Sequence, residues 1–258
     1  MLSAQNLKVL ITGASAGIGA ASAALFAEAG ARLVLAARRS DRLEDMGKAL
    51  GERGAGDVFL QETDVRSQED VDRLVRTTLD HWGQPPDILL NNAGLVLGLD
   101  PVAEGRPEDW QTIFDTNVMG VLRVTRGFLP AMLTRKTGHI IMTGSIAGHQ
   151  AYEGGSAYCG SKHALKAITA ALKLELNGTG IRLTSIDPGM VETEFSLVRF
   201  RGDETRARQV YAGLTPLTAV DVAECIYFAA TRNSSVNIDE MIVMPTDQAS
   251  VHKVHRRP

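Results

Sequence analysis

Short apolar runs alternate with helix-permissive stretches along most of the chain, and this alternation limits the folds open to it. A strand, a helix and a further strand in succession form a βαβ unit, whose parallel strands are joined by a right-handed crossover. The runs are almost wholly apolar, as expected when helices cover both faces of a sheet. We therefore predict an α/β fold, a doubly wound parallel sheet of about seven strands with helices on both faces. The predicted strands are Lys8–Thr12, Arg32–Ala37, Asp57–Thr63, Ile88–Asn91, His139–Gly144, Arg182–Asp187 and Glu240–Met244. The helical stretches between them are Gly19–Ala29, Arg42–Arg53, Gln68–Trp82, Glu108–Arg135 and Ala157–Asn177.

The whole chain, residues 1–258, is predicted to be one domain, because no stretch rich in Pro, Ser or Gly divides it. The stretch 190–213 is charged and only weakly periodic. It follows the carboxyl end of a predicted strand, where open α/β sheets bind their ligands, so we predict that it forms a substrate lid. A solvated surface insertion is the alternative.

Composition excludes several classes of protein. The chain has 27 Lys and Arg against 30 Asp and Glu, a formal net charge of −3, whereas nucleic-acid-binding proteins are usually basic. Two widely separated cysteines, Cys159 and Cys225, exclude a disulfide framework and a C-x-x-C metal or redox site. The apolar runs are shorter than the ~20 residues of a membrane span, and the residues before Lys8 leave no room for a signal peptide. We expect a cytoplasmic protein with no metal, nucleic-acid or membrane partner, since the basic tail 252–257 offers few phosphate contacts.

A glycine-rich turn, Thr12-Gly13-Ala14-Ser15-Ala16-Gly17-Ile18-Gly19, joins the first predicted strand to a helix. Glycines let the backbone approach a pyrophosphate, and the helix N-terminus offers it N–H groups and a positive dipole end. The spacing is G-x-x-x-G-x-G rather than G-x-G-x-x-G, and turns often use glycine for its backbone freedom alone. Its place in the first strand–turn–helix unit is what predicts a dinucleotide site.

Arg38 and Arg39 end the second predicted strand, where an NAD site carries an Asp or Glu for the ribose 2′-hydroxyl. A guanidinium group suits a 2′-phosphate instead, so the predicted cofactor is NADP. The alternative is that both arginines only solvate a strand end. Further expected contacts are Ser15 beside Arg38 at the phosphate, Asp64 at the adenine amino group, and Asn91 with Gly94 across the crevice.

Tyr158 and Lys162 lie four residues apart, so a helix places them on one face about one turn of ~5.4 Å from each other. A phenol with a pKa of ~10 is a poor base near neutrality, and an adjacent ammonium group is expected to lower that pKa. An exposed i, i+4 pair is the alternative for this spacing alone. Ser145, at the end of the fifth predicted strand, is placed to hold a substrate oxygen. Asn117 is placed to bond backbone groups or an ordered water, or to cap a helix.

These motifs together resemble one family of enzymes. They are Thr12-Gly13-x-x-x-Gly17-x-Gly19, Asn91-Asn92-Ala93-Gly94, Asn117, Ser145, Tyr158-x-x-x-Lys162 and Pro188-Gly189. In this order and at these spacings, the chain resembles the short-chain dehydrogenase/reductase family along essentially its whole length. The resemblance implies a single Rossmann-type domain, a small-molecule substrate and assembly as a homodimer or homotetramer.

The resemblance also implies a role for each site residue. Tyr158 is implied to be the acid/base and Lys162 to modulate its pKa and bind ribose. Ser145 is implied to orient the carbonyl, Asn117 to anchor a water relay, and Thr193 to contact the nicotinamide carboxamide. The implied cofactor-binding residues are Gly13, Ser15, Gly17, Ile18, Gly19, Arg38, Arg39, Asp64, Val65, Asn91, Ala93, Gly94, Tyr158, Lys162, Pro188, Gly189, Val191 and Thr193.

The segments Gly154–Tyr158, Val191–Phe200 and Val236–Ile238 resemble the NADP-dependent 3-hydroxy acid dehydrogenase branch of that family, which includes serine and allo-threonine dehydrogenases and sulfoacetaldehyde reductases. This branch implies hydride transfer between NADP(H) and the alcohol or carbonyl of a small acidic substrate held by Ser145 and Tyr158. Arg199, in the predicted lid, is then expected to pair bidentately with a carboxylate or sulfonate. Two alternatives stay open: a reductase of 3-oxoacyl thioesters or another carbonyl, and an NADP-binding regulatory protein.

Overall fold

Seven parallel strands form one sheet in the computed structural model, which describes residues 4–257. The strands are β1 (Lys8–Thr12), β2 (Arg32–Ala37), β3 (Asp57–Glu62), β4 (Ile88–Asn91), β5 (Gly138–Thr143), β6 (Ile181–Pro188) and β7 (Glu240–Val243). Their order is β3-β2-β1-β4-β5-β6-β7, so the predicted doubly wound parallel sheet is confirmed. Each predicted strand end lies within one residue of the observed end.

Helices connect the strands. They are α1 (Gly17–Glu28), α2 (Ser40–Glu52), α3 (Gln68–Trp82), α4 (Pro107–Phe114), α5 (Val121–Arg135), α6 (Ser156–Glu175), α7 (Glu194–Arg199), α8 (Glu204–Gln209) and α9 (Ala219–Ala230). The stretch predicted as one helix over Glu108–Arg135 is divided, because the π-helical turn Asp115–Gly120 separates α4 from α5. The prediction missed α7, α8 and α9; α7 and α8 have only six residues each, too short to show a periodic pattern.

Apolar side chains from the strands fill a core on each face of the sheet, which explains why the strands are apolar at nearly every position. On one face, Ile11 and Leu33 pack with Phe26 of α1 and Ile226 of α9. The other face holds a separate cluster of strand, α3, α5 and α6 side chains, namely Leu10, Val34, Leu89, Leu74, Phe128 and Leu165. Burying each of the larger side chains contributes about 1.5–3 kcal/mol, so both layers stabilise the sheet.

The sheet order also fixes where a ligand can bind. The chain runs outward from β1 to β2 and β3, then returns to place β4 on the other side of β1. A crevice opens at the carboxyl ends of strands where the order reverses in this way. In the part of the chain described, every helix is either too short or too polar to traverse a bilayer.

Candidate functional site

The turn between β1 and α1 forms one wall of a cleft at the carboxyl edge of the sheet. Gly13 and Gly17 adopt φ angles of +64° and +54°, which residues with a side chain rarely take. A Cβ on Gly13 would lie 2.8 Å from Ala93 Cα, and one on Gly19 would lie 2.4 Å from the Gly13 carbonyl oxygen. The residue before α1 is Ala16, whose side chain cannot cap the helix, so the first N–H groups remain available to an anion.

Asn92, quoted in the motif but not predicted as a site residue, ties this turn to the loop after β4. Its Nδ2 donates to the carbonyl oxygens of Thr12 at 3.0 Å and of Gly13 at 3.2 Å. Thr12 Oγ1 in return accepts from the backbone N–H groups of Asn92 at 3.0 Å and Ala93 at 3.1 Å. These bonds hold the two loops at a fixed separation across the cleft.

A cluster of basic side chains lies at the end of β2. Arg39 donates from Nε and Nη2 to the Ser15 hydroxyl, each at 3.2 Å, and from Nη1 to Glu194 Oε2 at 3.0 Å. Arg42 Nη1 donates to both Glu194 oxygens at 2.7 and 2.8 Å, and Arg42 and Arg39 together hold the pKa of that carboxyl below its usual value. Arg38 also lines the cleft. The Ser15 hydroxyl therefore bonds Arg39, whereas the sequence predicted that it would lie beside Arg38. Arg42 and Glu194 were not predicted as part of this cluster.

Two of the expected cofactor-binding residues make other contacts. Asp64 lines the cleft, and its bidentate ion pair with Arg66, at 2.6 Å for the shorter contact, holds its pKa below the usual value. The Asn91 side chain does not line the cleft, since its Nδ2 donates to Thr125 Oγ1 at 3.0 Å and to the Met142 sulfur at 3.5 Å. Asn91 thus stands beneath the cleft surface and joins β4 to α5 and β5.

Tyr158 and Lys162 are both nearly buried on α6, and both line the cleft. Lys162 Nζ lies 6.0 Å from the centroid of the Tyr158 ring and donates to the Thr143 carbonyl oxygen at 2.8 Å. Ser145 hydrogen-bonds the Tyr158 side chain, and its Oγ also accepts from the Ala147 backbone N–H at 3.1 Å. Three of the four predicted catalytic side chains, Ser145, Tyr158 and Lys162, therefore lie together in the cleft.

The pKa of Tyr158 departs from expectation. Burial raises it above 10, while the Ser145 hydrogen bond and the positive charge of Arg199 act in the opposite direction. Burial also lowers the pKa of Lys162 from 10.5 to about 8, opposed by the negative charge of Asp187. Burial of the phenol thus outweighs the Ser145 hydrogen bond and the Arg199 charge, so the pKa of Tyr158 is raised and not lowered as predicted.

Asn117 lies in the π-helical turn and does not reach the cleft surface. Its Nδ2 donates to the Leu95 carbonyl oxygen at 2.9 Å and to Ser161 Oγ at 3.1 Å, and its Oδ1 accepts from the Leu95 N–H at 2.9 Å. The side chain therefore joins the loop after β4 to α6, one residue before Lys162.

Arg199, at the end of α7, lies among aromatic rings next to Tyr158. Its guanidinium carbon is 5.8 Å from the ring centroids of Tyr152 and Tyr158 and 5.9 Å from that of Phe195. Nη2 donates to the Tyr152 hydroxyl at 2.8 Å, whereas the buried Nε has no hydrogen-bond partner among residues 4–257. Tyr152 and Phe195 were not predicted as site residues, although Phe195 lies within the predicted lid.

The end of β6 and the residues after it form the opposite wall. Thr193 Oγ1 accepts from the Phe195 backbone N–H at 3.2 Å and so caps α7, and a Cβ on Gly17 would lie 3.4 Å from Thr193. Gly19, Asn91, Asn117 and Arg199 do not line the cleft. The predicted residues that line it are Gly13, Ser15, Gly17, Ile18, Arg38, Arg39, Asp64, Val65, Ala93, Gly94, Ser145, Tyr158, Lys162, Pro188, Gly189, Val191 and Thr193.

The stretch 190–213 contains α7 and α8 and packs against the carboxyl-terminal tail. Arg257 N donates to the Gly213 carbonyl oxygen at 2.6 Å, and Arg257 Nη2 donates to Asp247 Oδ2 at 2.7 Å. Arg256 donates from Nη2 to the Val210 carbonyl oxygen at 2.9 Å. The basic tail thus bonds residues of its own chain.

Comparisons with known proteins agree with this geometry. The family model described as short chain dehydrogenase matches residues 7–202. An NADP-dependent 3-hydroxy acid dehydrogenase of Schizosaccharomyces pombe is 41% identical over 250 residues, covering 96% of each chain. A serine 3-dehydrogenase of Agrobacterium fabrum is 38% identical over 241 residues, covering 93% of this chain and 94% of the relative.

Solved structures of similar enzymes also superpose on the chain. The closed form of a serine dehydrogenase complexed with NADP+ superposes with a TM-score of 0.90 at 37% identity, covering 96% of this chain and 99% of that one. An actinorhodin polyketide ketoreductase variant with NADPH gives a TM-score of 0.84 at 31% identity, with 95% and 98% coverage. With a matching family model, full-length relatives and this arrangement of glycine turn, tyrosine and lysine, the chain belongs to the short-chain dehydrogenase family.

Proposed function

We propose that this protein transfers a hydride between NADP(H) and the alcohol or carbonyl carbon of a small acidic substrate such as a 3-hydroxy acid. The observation that carries the proposal is the position of Arg199, whose guanidinium carbon lies 5.8 Å from the Tyr158 ring centroid. Its Nε is buried and has no hydrogen-bond partner among the described residues, so the guanidinium has a donor left over for a ligand. A carboxylate is the group that such a guanidinium binds best. The names of the relatives, 3-hydroxy acid dehydrogenase and serine 3-dehydrogenase, support the same substrate class.

The donor set at the end of β2 fits NADP rather than NAD. Arg38, Arg39 and the Ser15 hydroxyl supply hydrogen-bond donors there, and the strand ends in Ala36-Ala37 without the carboxylate that a free 2′-hydroxyl requires. We assign the 2′-phosphate to these donors and the pyrophosphate to the first turn of α1, whose N–H groups are uncapped. Bound NADP(H) would supply the hydride chemistry at its nicotinamide ring.

Three side chains handle the proton. In the reductive direction, the Tyr158 phenol gives its proton to the substrate carbonyl oxygen. The Ser145 hydroxyl donates a second hydrogen bond to the same oxygen and stabilises the negative charge that develops there. The Lys162 ammonium stabilises the phenolate that remains, while the loop and helix joined by Asn117 position the water chain that returns the proton. Oxidation of the alcohol runs through the same groups in reverse.

The stretch 190–213 acts as a lid in this account. Phe195 and Val198 of α7 line the cleft, and the Gly98 N–H donates to the Arg199 carbonyl oxygen at 3.0 Å, which joins α7 to the loop after β4. We assign Tyr152 the task of orienting the guanidinium through its 2.8 Å hydrogen bond.

We further propose a homodimer or homotetramer in the cytoplasm. Phe114, Met119 and Leu122 are each about two-fifths exposed along α4, the π-helical turn and α5. A contiguous apolar surface of this kind commonly marks a contact between protein chains. Sedimentation or mass photometry of the purified protein tests this, and a monomer at micromolar concentration would contradict it.

A substrate panel with both cofactors tests the proposed function. We expect NADPH-dependent reduction of short 3-oxo acids, and NADP-dependent oxidation of the matching 3-hydroxy acids, to exceed turnover of uncharged alcohols of the same length. A higher kcat/KM for 3-oxoacyl thioesters would favour the reductase alternative. Tight NADPH binding without turnover of any carbonyl would favour a regulatory protein.

A further inference from the structure

Four ionisable side chains form a cluster behind the catalytic face, where no role is assigned above. Asp187, at the end of β6, is only 2% exposed, and its Oδ2 lies 2.6 Å from His149 Nε2. His149 Nδ1 lies 2.6 Å from Lys166 Nζ, and Glu240 Oε1 lies 3.3 Å from the same nitrogen. The cluster thus runs from a buried carboxylate to an exposed lysine.

The hydrogen bonds fix the orientation of the carboxylate. An ammonium group can only donate, so His149 Nδ1 accepts from Lys166 and the His149 Nε2–H donates to Asp187 Oδ2. The second carboxylate oxygen accepts from the Ser185 hydroxyl at 2.5 Å. Both oxygens of Asp187 are therefore held, and its side chain is fixed against the end of β5.

That position places Asp187 against the residues that form the active face. A Cβ on Gly144 would lie only 1.8 Å from Asp187 Oδ1, so the carboxylate packs directly on the Gly144 backbone. The preceding residue, Thr143, accepts the hydrogen bond of the Lys162 ammonium, and the following residue is Ser145. Lys166 and Lys162 lie one turn apart on α6.

We propose that Asp187, held by His149 and Ser185, is a positioning residue that provides the counter-charge for the buried Lys162 ammonium. The proposal rests on the proposed function of Lys162 and explains how an amine with few polar contacts stays charged inside the protein. Burial alone favours the neutral amine, and the Asp187 charge acts against it. His149 and Lys166 extend the cluster to the surface and keep the carboxylate from turning away.

The same groups do not require a metal ion. His149, Asp187 and Glu240 have ligand atoms within 4.8 Å of one another, the spacing of a candidate cation site. The Lys166 ammonium already contacts His149 and Glu240, and so supplies a positive charge at this place. The charged and titratable groups around Asp187 are thus Lys162 from α6, His149 from the turn after β5 and Glu240 from β7, while Lys166 contacts His149 and Glu240.

The test measures the Lys162 pKa directly, without turnover. The chain has seven lysines, so [13Cε]lysine labelling with Lys162→Met for assignment gives a separate titration for Lys162. We expect an inflection near pH 8 in the native protein, and one lower by about 1–3 pH units in Asp187→Asn, where the charge is lost but the shape is kept. Asp187→Ser, with a smaller side chain, gives the same readout if the amide variant does not fold.

A matched control separates this effect from charge removal in general. Asp239→Asn removes a carboxylate that pairs with Lys173 farther along α6, and it is expected to leave the Lys162 inflection in place. An unchanged inflection in both Asp187 variants, or an equal shift in Asp239→Asn, would overturn the proposal.

The pH dependence of kcat/KM then tests separately the role of Asp187 and the proposed catalytic role of Lys162. If both are right, the alkaline limb of the profile moves with the Lys162 inflection in Asp187→Asn. If the inflection moves and the limb does not, the counter-charge is right and the role proposed for Lys162 is wrong.

Discussion

The guanidinium carbon of Arg199 lies 5.8 Å from the centroid of the Tyr158 ring. Because one side chain is proposed to hold the substrate's acidic group and the other to move its proton, this distance limits the substrate to a short molecule. Phe195 stands beside both, with its ring centroid 5.6 Å from that of Tyr158, so the pocket is closed by aromatic surface on that side. The proposed site therefore favours substrates that are both small and negatively charged.

Replacing Arg199 should separate acidic from neutral substrates. A charge-assisted hydrogen bond contributes about 1.5–3 kcal/mol, so Arg199→Ala should raise KM for a 3-hydroxy acid roughly 10- to 150-fold. KM for an uncharged alcohol of equal length should change little. Tyr152→Phe is the matched control, because it removes only the hydroxyl that accepts from Arg199 and should have a smaller effect in the same direction. Equal changes for acidic and neutral substrates would remove Arg199 from the substrate site.

Cofactor preference tests the basic cluster at the end of β2. Arg39→Ala removes donors that reach Ser15, and it should weaken NADPH binding by about 10- to 100-fold while leaving NADH binding unchanged. Quenching of protein fluorescence, or enhancement of NADPH fluorescence, measures both dissociation constants. Arg53→Ala is the control, since that arginine follows α2 and pairs with Glu28 on the exposed surface. If both cofactors lose affinity equally, the assignment of Arg39 to the 2′-phosphate fails.

Much of this architecture was predictable, because the signals are local. The limits of α3 were predicted correctly, and the structure gives the reason: Ser67 Oγ caps its start by accepting from the Asp70 N–H, and Gly83 ends it with φ +66°. The glycine turn and the Tyr158–Lys162 spacing are equally local. These two local patterns therefore predict the dinucleotide cleft and the two side chains on its wall.

The rest depends on contacts between residues far apart in the chain. Glu194 pairs with Arg39 and Arg42, and Arg199 donates to Tyr152. These residues are far apart in the sequence, so no local spacing predicts that they are in contact. The π-helical turn that contains Asn117 interrupts a stretch whose apolar pattern predicts continuous helix. The direction of the Tyr158 pKa shift follows from burial, a property of the folded chain, which outweighs the charges near the phenol.

The buried Lys162 ammonium should lower the free energy of unfolding of the protein. Its pKa falls from 10.5 to about 8 on folding, so the folded chain holds this proton more weakly than the unfolded chain. Stability is therefore lost as pH falls from about 10.5 to 8, and the full cost of about 3 kcal/mol is present below pH 8. Lys162→Met should raise the free energy of unfolding at pH 7 by about 1–2 kcal/mol, because the lost bond to Thr143 offsets part of the gain. Urea unfolding measures this, and a less stable variant would contradict it.

His139 should make the protein sensitive to acid. It is buried on β5, where burial lowers its pKa to about 3, and its Nε2 donates to Thr184 Oγ1 at 2.8 Å. The unfolded chain binds this proton from about pH 6.5 downward and the folded chain does not, so stability falls as pH drops from 6.5 toward 3.

Between pH 7 and pH 5, the stability lost through His139 amounts to about 2 kcal/mol. His139→Leu should therefore lose less stability over that interval than the native protein, in urea unfolding at the two values. His252→Gln, which replaces an exposed histidine, should behave like the native protein. Identical losses in all three would show that another group controls the acid response.

The proposed function depends on the Tyr158 phenol exchanging the proton during hydride transfer. Tyr158→Phe keeps the buried ring and its edge contact with Phe195 but removes the hydroxyl. The most direct test is the rate of NADPH oxidation by this variant with a short 3-oxo acid, alongside its NADPH dissociation constant. We predict a fall in kcat of about 10²–10⁴-fold with NADPH binding retained. Native turnover in Tyr158→Phe would contradict the account.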